Sequence, residues 1–150
     1  MKYALDTNLY IRSIRDATFR TELQAFQARH APALHLSSVV LHEMMVGAST
    51  PAHVREIRDS FTRFLSLPKR IVTPTHAAWS RAGEVLSEIA STVGMERSRM
   101  PRAFVNDALI AVSCSEAGVM LLTDNVQDFE RLKPFVPFQF SQPWPPAVRR

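Results

Sequence analysis

Four acidic residues of this chain stand in apolar surroundings, where a folding sequence gains little from a charge. Asp6 and Asp124 directly follow short apolar runs, whereas Glu43 and Asp107 interrupt longer ones. Carboxylates are seldom buried without a partner. If the four converge, each close pair repels by about 3 kcal/mol at a separation of ~6 Å and an effective dielectric of ~20. No lysine or arginine adjoins any of them in the sequence, so a divalent cation is the expected partner.

Clustered carboxylate oxygens suit Mg²⁺ or Mn²⁺, and the usual work of such a site is to activate water against a phosphodiester. Taken singly, the acids have simpler roles. Asp6 and Asp124 could cap helices. Glu43 could be a partly exposed helix residue, and Asp107 a satisfied polar group of the core. Asp128, one turn after Asp124, is either an auxiliary ligand or a surface acid. Convergence of the four acids is what favours a metal site.

The elements that would position these acids alternate between strands and helices. Apolar runs predict strands at residues 2–5, 34–36, 71–72 and 119–122, and an extended segment at 136–140. The alternation predicts an α/β fold of three layers, in which a short, mostly parallel sheet has helices on both faces. Ligands bind beyond the carboxyl ends of such strands. Asp6 is the first residue after its strand and Asp124 the second after its own, so both are expected at that edge.

The other two acids lie on predicted helices. Ser37 and Ser38 can cap the helix that carries Glu43, and Pro101 opens the helix that carries Asp107. Each acid has apolar neighbours three and four residues away, which places it on the inward face of its helix.

Large apolar residues at helical spacing elsewhere are expected mainly in the core. One stripe begins at Trp79, on the helix that Thr75 opens. Two further stripes are Phe19, Leu23 and Phe26, and Ile57, Phe61 and Phe64. Any part of these stripes that the core leaves uncovered would form an apolar groove for a partner.

Composition fits one domain of residues 1–140, followed by a Pro/Arg-rich tail of residues 141–150. All but three of the 18 basic residues are arginine, and the net charge is +4, which favours phosphate or carboxylate recognition. Cys114 is the only cysteine, so no intrachain disulfide can form and a reducing cytoplasm is expected. No apolar run approaches the ~20 residues of a membrane span, and no membrane association is expected.

Four short motifs carry a resemblance to a known family. They are Leu5-Asp6-Thr7-Asn8, the helix start Ser37-Ser38-Val39-Val40-Leu41-His42-Glu43, Asn106-Asp107-Ala108-Leu109-Ile110-Ala111, and Leu122-Thr123-Asp124-Asn125 with Asp128-Phe129. In order and spacing, over about residues 2–140, they resemble the motifs of PIN-domain ribonucleases. The resemblance is specifically to the VapC-type toxins of bacterial toxin–antitoxin pairs.

This resemblance implies a Mg²⁺- or Mn²⁺-dependent endoribonuclease that leaves 5′-phosphate and 3′-hydroxyl ends. The catalytic, metal-binding acids would be Asp6, Glu43, Asp107 and Asp124, and Asp6 and Asp107 would hold the principal ion. Polar support would come from Thr7, Asn8, Asn106, Thr123 and Asn125, with Asp128 as an auxiliary acid. The resemblance further implies a homodimer and a cognate VapB-type antitoxin. A segment of that antitoxin could pair an Arg or Lys with the acids.

Three arginines are candidates for contacts with RNA phosphates: Arg97, Arg99 and Arg102 lie just before the Asp107 helix. The alternative for them is a solvated loop.

Two other functions stay open. A DNA or flap nuclease could use the same acids, because metal-activated water needs no 2′-hydroxyl. A non-catalytic interaction module could use them to bind a structural ion or a basic peptide. Other chemistries fit poorly: the His42-Glu43 pair lacks the second histidine of a zinc protease helix, there is no Gly-x-Ser-x-Gly elbow, and four glycines form no phosphate loop.

Overall fold

The computed structural model describes residues 1–94 and 96–145, apart from the side chains at positions 63, 65, 68 and 97. In that part of the chain the strands are β1 (Lys2–Leu5), β2 (Leu34–Ser37), β3 (Ile71–Val72), β4 (Val119–Leu122) and β5 (Phe140–Ser141). The α-helices are α1 (Thr7–Arg15), α2 (Ala17–Arg29), α3 (Ser38–Val46), α4 (Pro51–Ser60), α5 (Thr62–Leu65), α6 (His76–Thr92), α7 (Arg102–Ala117) and α8 (Val126–Leu132).

The strands pair in parallel, in the order β3-β2-β1-β4-β5. The first strand is therefore central: the chain runs outward to β3 on one side and then crosses over to β4 on the other. Because crossovers between parallel strands are right-handed, α1 to α5 cover one face, and α6, α7 and α8 cover the other. The predicted three-layer α/β fold is confirmed. The order in which strands are added to the sheet reverses between β1 and β4, and parallel sheets form their ligand crevice at such a point.

Junctions between strands and helices fix where the acids stand. Ser37 caps α3 by accepting a hydrogen bond from the Val40 N–H, so the helix of Glu43 begins directly at the end of β2. Gly118 adopts φ +60, the left-handed conformation that ends α7 and leads straight into β4. The helix of Asp107 is thereby held against the sheet, and its residues from Ala108 to Cys114 are all buried.

The predicted aromatic stripes on α2, α4 and α5 are in the core, as expected: Phe19, Leu23, Phe26, Ile57, Phe61 and Phe64 are all buried. The predicted stripe on α6 is wrong at its first residue, Trp79. Its buried side chains begin at Ala78 and continue through Ala82, Val85 and Ile89, whereas Trp79 is 61% exposed. One residue is about 100° around a helix, which turns the indole toward solvent.

The start of the predicted tail packs against the domain. Ser141 belongs to β5, where its carbonyl accepts a hydrogen bond from the Thr123 N–H (3.1 Å). The Trp144 ring stacks on Phe26, with centroids 4.7 Å apart, and its Nε1 donates to Glu22. Residues 146–150 lie outside the described part of the chain. Within that part, no helix is both long and apolar enough to cross a bilayer.

Candidate active site

Asp6 lies at the carboxyl end of β1, beside the end of β4. Its N–H donates to the Leu122 carbonyl (2.9 Å), and its side chain is the N-cap of α1 through the Thr7 N–H (2.7 Å). The carboxylate also accepts from Thr123 Oγ1 (2.6 Å) and Asn8 Nδ2 (2.8 Å). Only 3% of Asp6 is exposed, and this burial raises its pKa to about 6 in spite of the hydrogen bonds. The N-cap and core-acid roles therefore coincide in one residue.

Glu43 joins three helices at the same crevice. One carboxylate oxygen accepts from the Thr7 hydroxyl on α1, and the other accepts from Asn106 Nδ2 on α7 at 2.8 Å. The side chain is half-buried. Its negative charge also contributes to raising the pKa of Asp6, so the two carboxylates interact across the crevice.

Asp107 is the acid of this site whose pKa is raised most. It is 6% exposed. Burial, followed by the negative charges of Asp6, Asp128 and Glu43, raises its pKa to about 8, and a hydrogen bond from Asn125 Nδ2 (3.1 Å) opposes this. A carboxyl group with that pKa is held in unfavourable surroundings for a charge.

Asp124 and Asp128 stand farther out, each beside an arginine. Arg12 Nη1 lies 3.2 Å from one oxygen of Asp124, and Arg131 Nη1 lies 3.2 Å from Asp128. Asp124 is exposed and does not cap α8 with its side chain. Asn125 connects these outer acids to the inner ones, because its Nδ2 donates both to Asp107 and to Asp128.

A buried hydroxyl organises the polar residues between the two strand ends. Thr123 donates to Asp6 and accepts from Asn8 Nδ2 (3.0 Å) and from the Asn125 N–H (2.9 Å). Asn8 Oδ1 in turn accepts from the Asp124 N–H. Each of the five predicted supporting residues therefore contacts at least one of the predicted acids: Thr7, Asn8, Asn106, Thr123 and Asn125.

Two arginines at this site were missed by the sequence analysis. Arg12 follows Asn8 by four residues on α1, and Arg131 follows Asp128 by three on α8; neighbours at these spacings share one face of a helix. That spacing was the available signal. The arginines predicted from the sequence to contact RNA are Arg97, Arg99 and Arg102. Arg99 is exposed and paired with Glu96.

Arg102, the first residue of α7, is exposed as well. The side chain of Arg97 lies outside the described part of the structure. The candidate role of these residues in RNA binding stays a prediction.

The donor set suits a hard divalent cation, because it consists of carboxylate oxygens flanked by hydroxyl and amide groups. Among the described residues, no three His, Cys, Asp or Glu side chains are already grouped as metal ligands. The oxygens of Asp6 and Glu43 accept from Thr and Asn donors instead.

Comparisons with known proteins agree with this fold. No curated protein matches the chain. Among solved structures, the DNA-bound VapBC from Salmonella typhimurium is similar at 20% identity and a TM-score of 0.67, over 95% of this chain and 98% of that one. VapBC2 from Rickettsia felis, bound to a promoter DNA fragment, is similar at 23% identity and a TM-score of 0.61 with the same coverage.

FitAB bound to the IR36 DNA fragment is similar at 17% identity and a TM-score of 0.66, over 99% of both chains. At these identities the likeness establishes the fold. The family model of the PIN domain matches residues 3–133. PIN domains are nucleases and generally use divalent metal ions. Because this match spans most of the sequence, the chain belongs to the PIN domain family.

Proposed function

We propose that the protein is a Mg²⁺- or Mn²⁺-dependent endoribonuclease that leaves 5′-phosphate and 3′-hydroxyl ends. The observation that carries the proposal is Asp107, a buried carboxylate whose pKa is raised by its burial and by three neighbouring acids. Such a cluster gains most from a cation, since the cation offsets both the desolvation and the repulsion. Membership of a nuclease family supplies the reaction class.

In this proposal Asp6 and Asp107 hold the principal ion, while Glu43 and Asp124 complete the acidic set. The bound ion would activate water and stabilise the charge that develops at the scissile phosphate. Thr123 orients the Asp6 carboxylate by donating a hydrogen bond to it, and Asn106 orients Glu43 in the same way. These contacts limit the side-chain freedom of the acids, which favours a defined geometry for in-line attack.

Cleavage of matched oligonucleotides tests the proposal. The wild-type protein should cut single-stranded RNA with Mg²⁺ or Mn²⁺, lose all activity in EDTA and regain it when metal is restored. Asp107→Asn should be folded and inactive. Asp59→Asn is the control, because it removes an exposed acid on α4 and should cut normally. Cleavage of DNA but not RNA would identify a DNA nuclease, and full cleavage in EDTA would reject metal catalysis.

We further propose that the enzyme is the toxin of a toxin–antitoxin pair, working in the cytoplasm on the RNA of its own cell. The similar solved structures named VapBC and FitAB support this assignment. A groove lies between α1, α3 and α4, lined in part by Ile11, Ile14, Met44 and Ile57. Glu43 also lines it, so the groove joins an apolar surface to the acidic crevice.

A VapB-type antitoxin segment would fit this groove by placing apolar side chains along it and an Arg or Lys beside Glu43. The residues of the stripes predicted from the sequence are buried in the core, and one of them, Ile57, also lines this groove. Co-expression with the neighbouring small open reading frame tests the partner. Its product should co-purify and relieve growth inhibition. Ile14→Glu should weaken that complex without loss of RNA cleavage, whereas failure to co-purify or relieve toxicity would reject the toxin assignment.

We also propose a homodimer, on the resemblance to VapC-type toxins. Light scattering of the purified protein measures its mass directly, and a monomeric mass at micromolar concentration would reject the dimer.

A further inference from the structure

Two arginines lie at the border of the acidic crevice, each beside one of its outer carboxylates. Arg12 contacts both oxygens of Asp124 through one nitrogen, at 3.2 and 3.3 Å, and Arg131 contacts Asp128 through one nitrogen, at 3.2 Å. Both arginine side chains are more than two-fifths exposed. A guanidinium has five N–H donors. The described contacts of these two therefore leave donors that face solvent at the rim of the site.

Each guanidinium also lies over an aromatic ring. Arg12 Cζ is 4.1 Å from the centroid of Phe19, and Arg131 Cζ is 4.5 Å from that of Phe104. Stacking on a ring face restricts a long side chain and leaves the edge donors of the guanidinium open. The two arginines are therefore held in place at the rim by a ring and a carboxylate each.

The two arginines approach the buried acids from different helices. Arg12 belongs to α1 and Arg131 to α8, which cover opposite faces of the sheet. Arg131 contacts Asp128, and Asn125 donates hydrogen bonds both to Asp128 and to the buried Asp107. A chain that enters the crevice can therefore meet an arginine from either face of the sheet.

We infer that Arg12 and Arg131 bind two backbone phosphates of the RNA substrate, one on each side of the phosphate that is cut. This inference rests on the proposed function, because it concerns the substrate of the same site. A cluster of acids repels a polyanion, so substrate binding needs cations close to the cluster. Arginine suits phosphate through paired N–H donors. Exposed ion pairs add little stability, so each arginine can exchange its carboxylate for a phosphate at small cost.

Salt dependence of RNA binding tests the inference. Binding of a short single-stranded RNA is measured in EDTA, where no cleavage occurs, by fluorescence anisotropy across a salt series. Each single variant, Arg12→Gln or Arg131→Gln, should weaken binding and reduce the slope of log K against log salt by about 0.7. Arg81→Gln is the matched control, because Arg81 also pairs with an exposed carboxylate three residues away. Its slope should equal that of the wild-type protein.

A second pair of variants separates phosphate contact from simple charge neutralisation. Arg12→Gln/Asp124→Asn and Arg131→Gln/Asp128→Asn each remove an arginine together with the carboxylate that it contacts. If the arginines bind phosphate, both double variants keep the reduced slope. If the double variants regain the wild-type slope, the arginines serve only to neutralise their carboxylates and the inference is overturned.

Failure of the inference can be distinguished from failure of the proposed function. Wild-type protein that cuts RNA while every arginine variant keeps the wild-type slope rejects the phosphate contacts and leaves the nuclease intact. Wild-type protein that neither binds nor cuts RNA rejects both. Circular dichroism of each variant confirms that a reduced slope belongs to folded protein.

Discussion

The acids of this site fall into two groups that the fold treats differently. The inner group, Asp6, Glu43 and Asp107, is buried or half-buried and is held by hydroxyl and amide donors. The outer group, Asp124 and Asp128, is more exposed, and each member has an arginine beside it. Among the described residues, no Lys or Arg forms an ion pair with an inner acid.

The contrast indicates where a metal ion would have most effect. Hydrogen bonds orient a carboxylate but do not cancel its charge, so the inner acids keep an electrostatic cost that burial increases. The outer acids are already compensated, and water screens what remains. Metal affinity and catalysis should therefore depend mainly on the inner group.

The largest effect is expected from removing an inner charge. Asp6→Asn should reduce kcat/KM for RNA by more than the about 10- to 100-fold typical of a supporting group, because it deletes a proposed ligand and the acceptor of three hydrogen bonds. Steady-state cleavage assays and a Mn²⁺ titration measure the two losses. Activity within 10-fold of wild type would end the assignment of Asp6 as a principal ligand.

A smaller loss of activity is expected from removing the Thr123 hydroxyl, which supports the inner group. Thr123→Val keeps the shape of the side chain but removes one of the donors to Asp6 and one of the two acceptors of the Asn8 amide. Activity should fall by about 10- to 100-fold, and the free energy of unfolding by about 1–3 kcal/mol because buried polar groups lose partners. Urea unfolding measures the second quantity. Thr21→Val, at an exposed threonine on α2, should change neither.

The order of the motifs in the chain was enough to predict most of this arrangement. Asp6 could be placed because it directly follows a predicted strand, and Asp107 because an acid on an apolar helix face is expected to point inward. The contact between Arg12 and Asp124 could not be placed in the same way. Arg12 and Asp124 are 112 residues apart, and their meeting depends on β1 and β4 being neighbours, which no local pattern states.

Two smaller differences between the sequence prediction and the structure concern single elements. Trp79 fits an apolar stripe by spacing alone, yet the true buried stripe starts one residue earlier, at Ala78. The last strand pairs at only two residues, Phe140 and Ser141, too few for a periodic signal, so the sequence predicted an extended segment that stops at residue 140. In both cases packing against the rest of the fold decided what propensity could not.

The inner group should also give the metal-free protein a distinctive pH dependence. The pKa of Asp107 rises from its ordinary 3.8 to about 8 on folding, so the native state binds more protons than the unfolded state between these values. Its contribution to the free energy of unfolding is therefore fully present below pH 4 and is lost as pH rises toward 8. In EDTA, the Asp107→Asn protein should not lose this part of its free energy of unfolding as pH rises.

The melting temperature of Asp107→Asn, relative to wild type, should increase from pH 5 to pH 8, by about 2–4 °C for each kcal/mol of repulsion removed. Differential scanning calorimetry in EDTA measures the trend. Added Mg²⁺ should reverse it, because only the wild-type protein gains stability by binding the ion. A constant difference across this pH range would show that Asp107 is not the strained acid of the site.

The smallest effect should come from the outer group. Asp128→Asn removes a carboxylate that is paired with Arg131 and only half-buried, while its remaining oxygen can still accept from Asn125. The substitution also removes one of the negative charges that raise the pKa of Asp107. We expect kcat/KM to stay within about 10-fold of wild type and the pKa of Asp107, followed by NMR in EDTA, to fall. A loss of kcat/KM as large as that of Asp6→Asn would place Asp128 among the metal ligands and contradict the division between inner and outer acids.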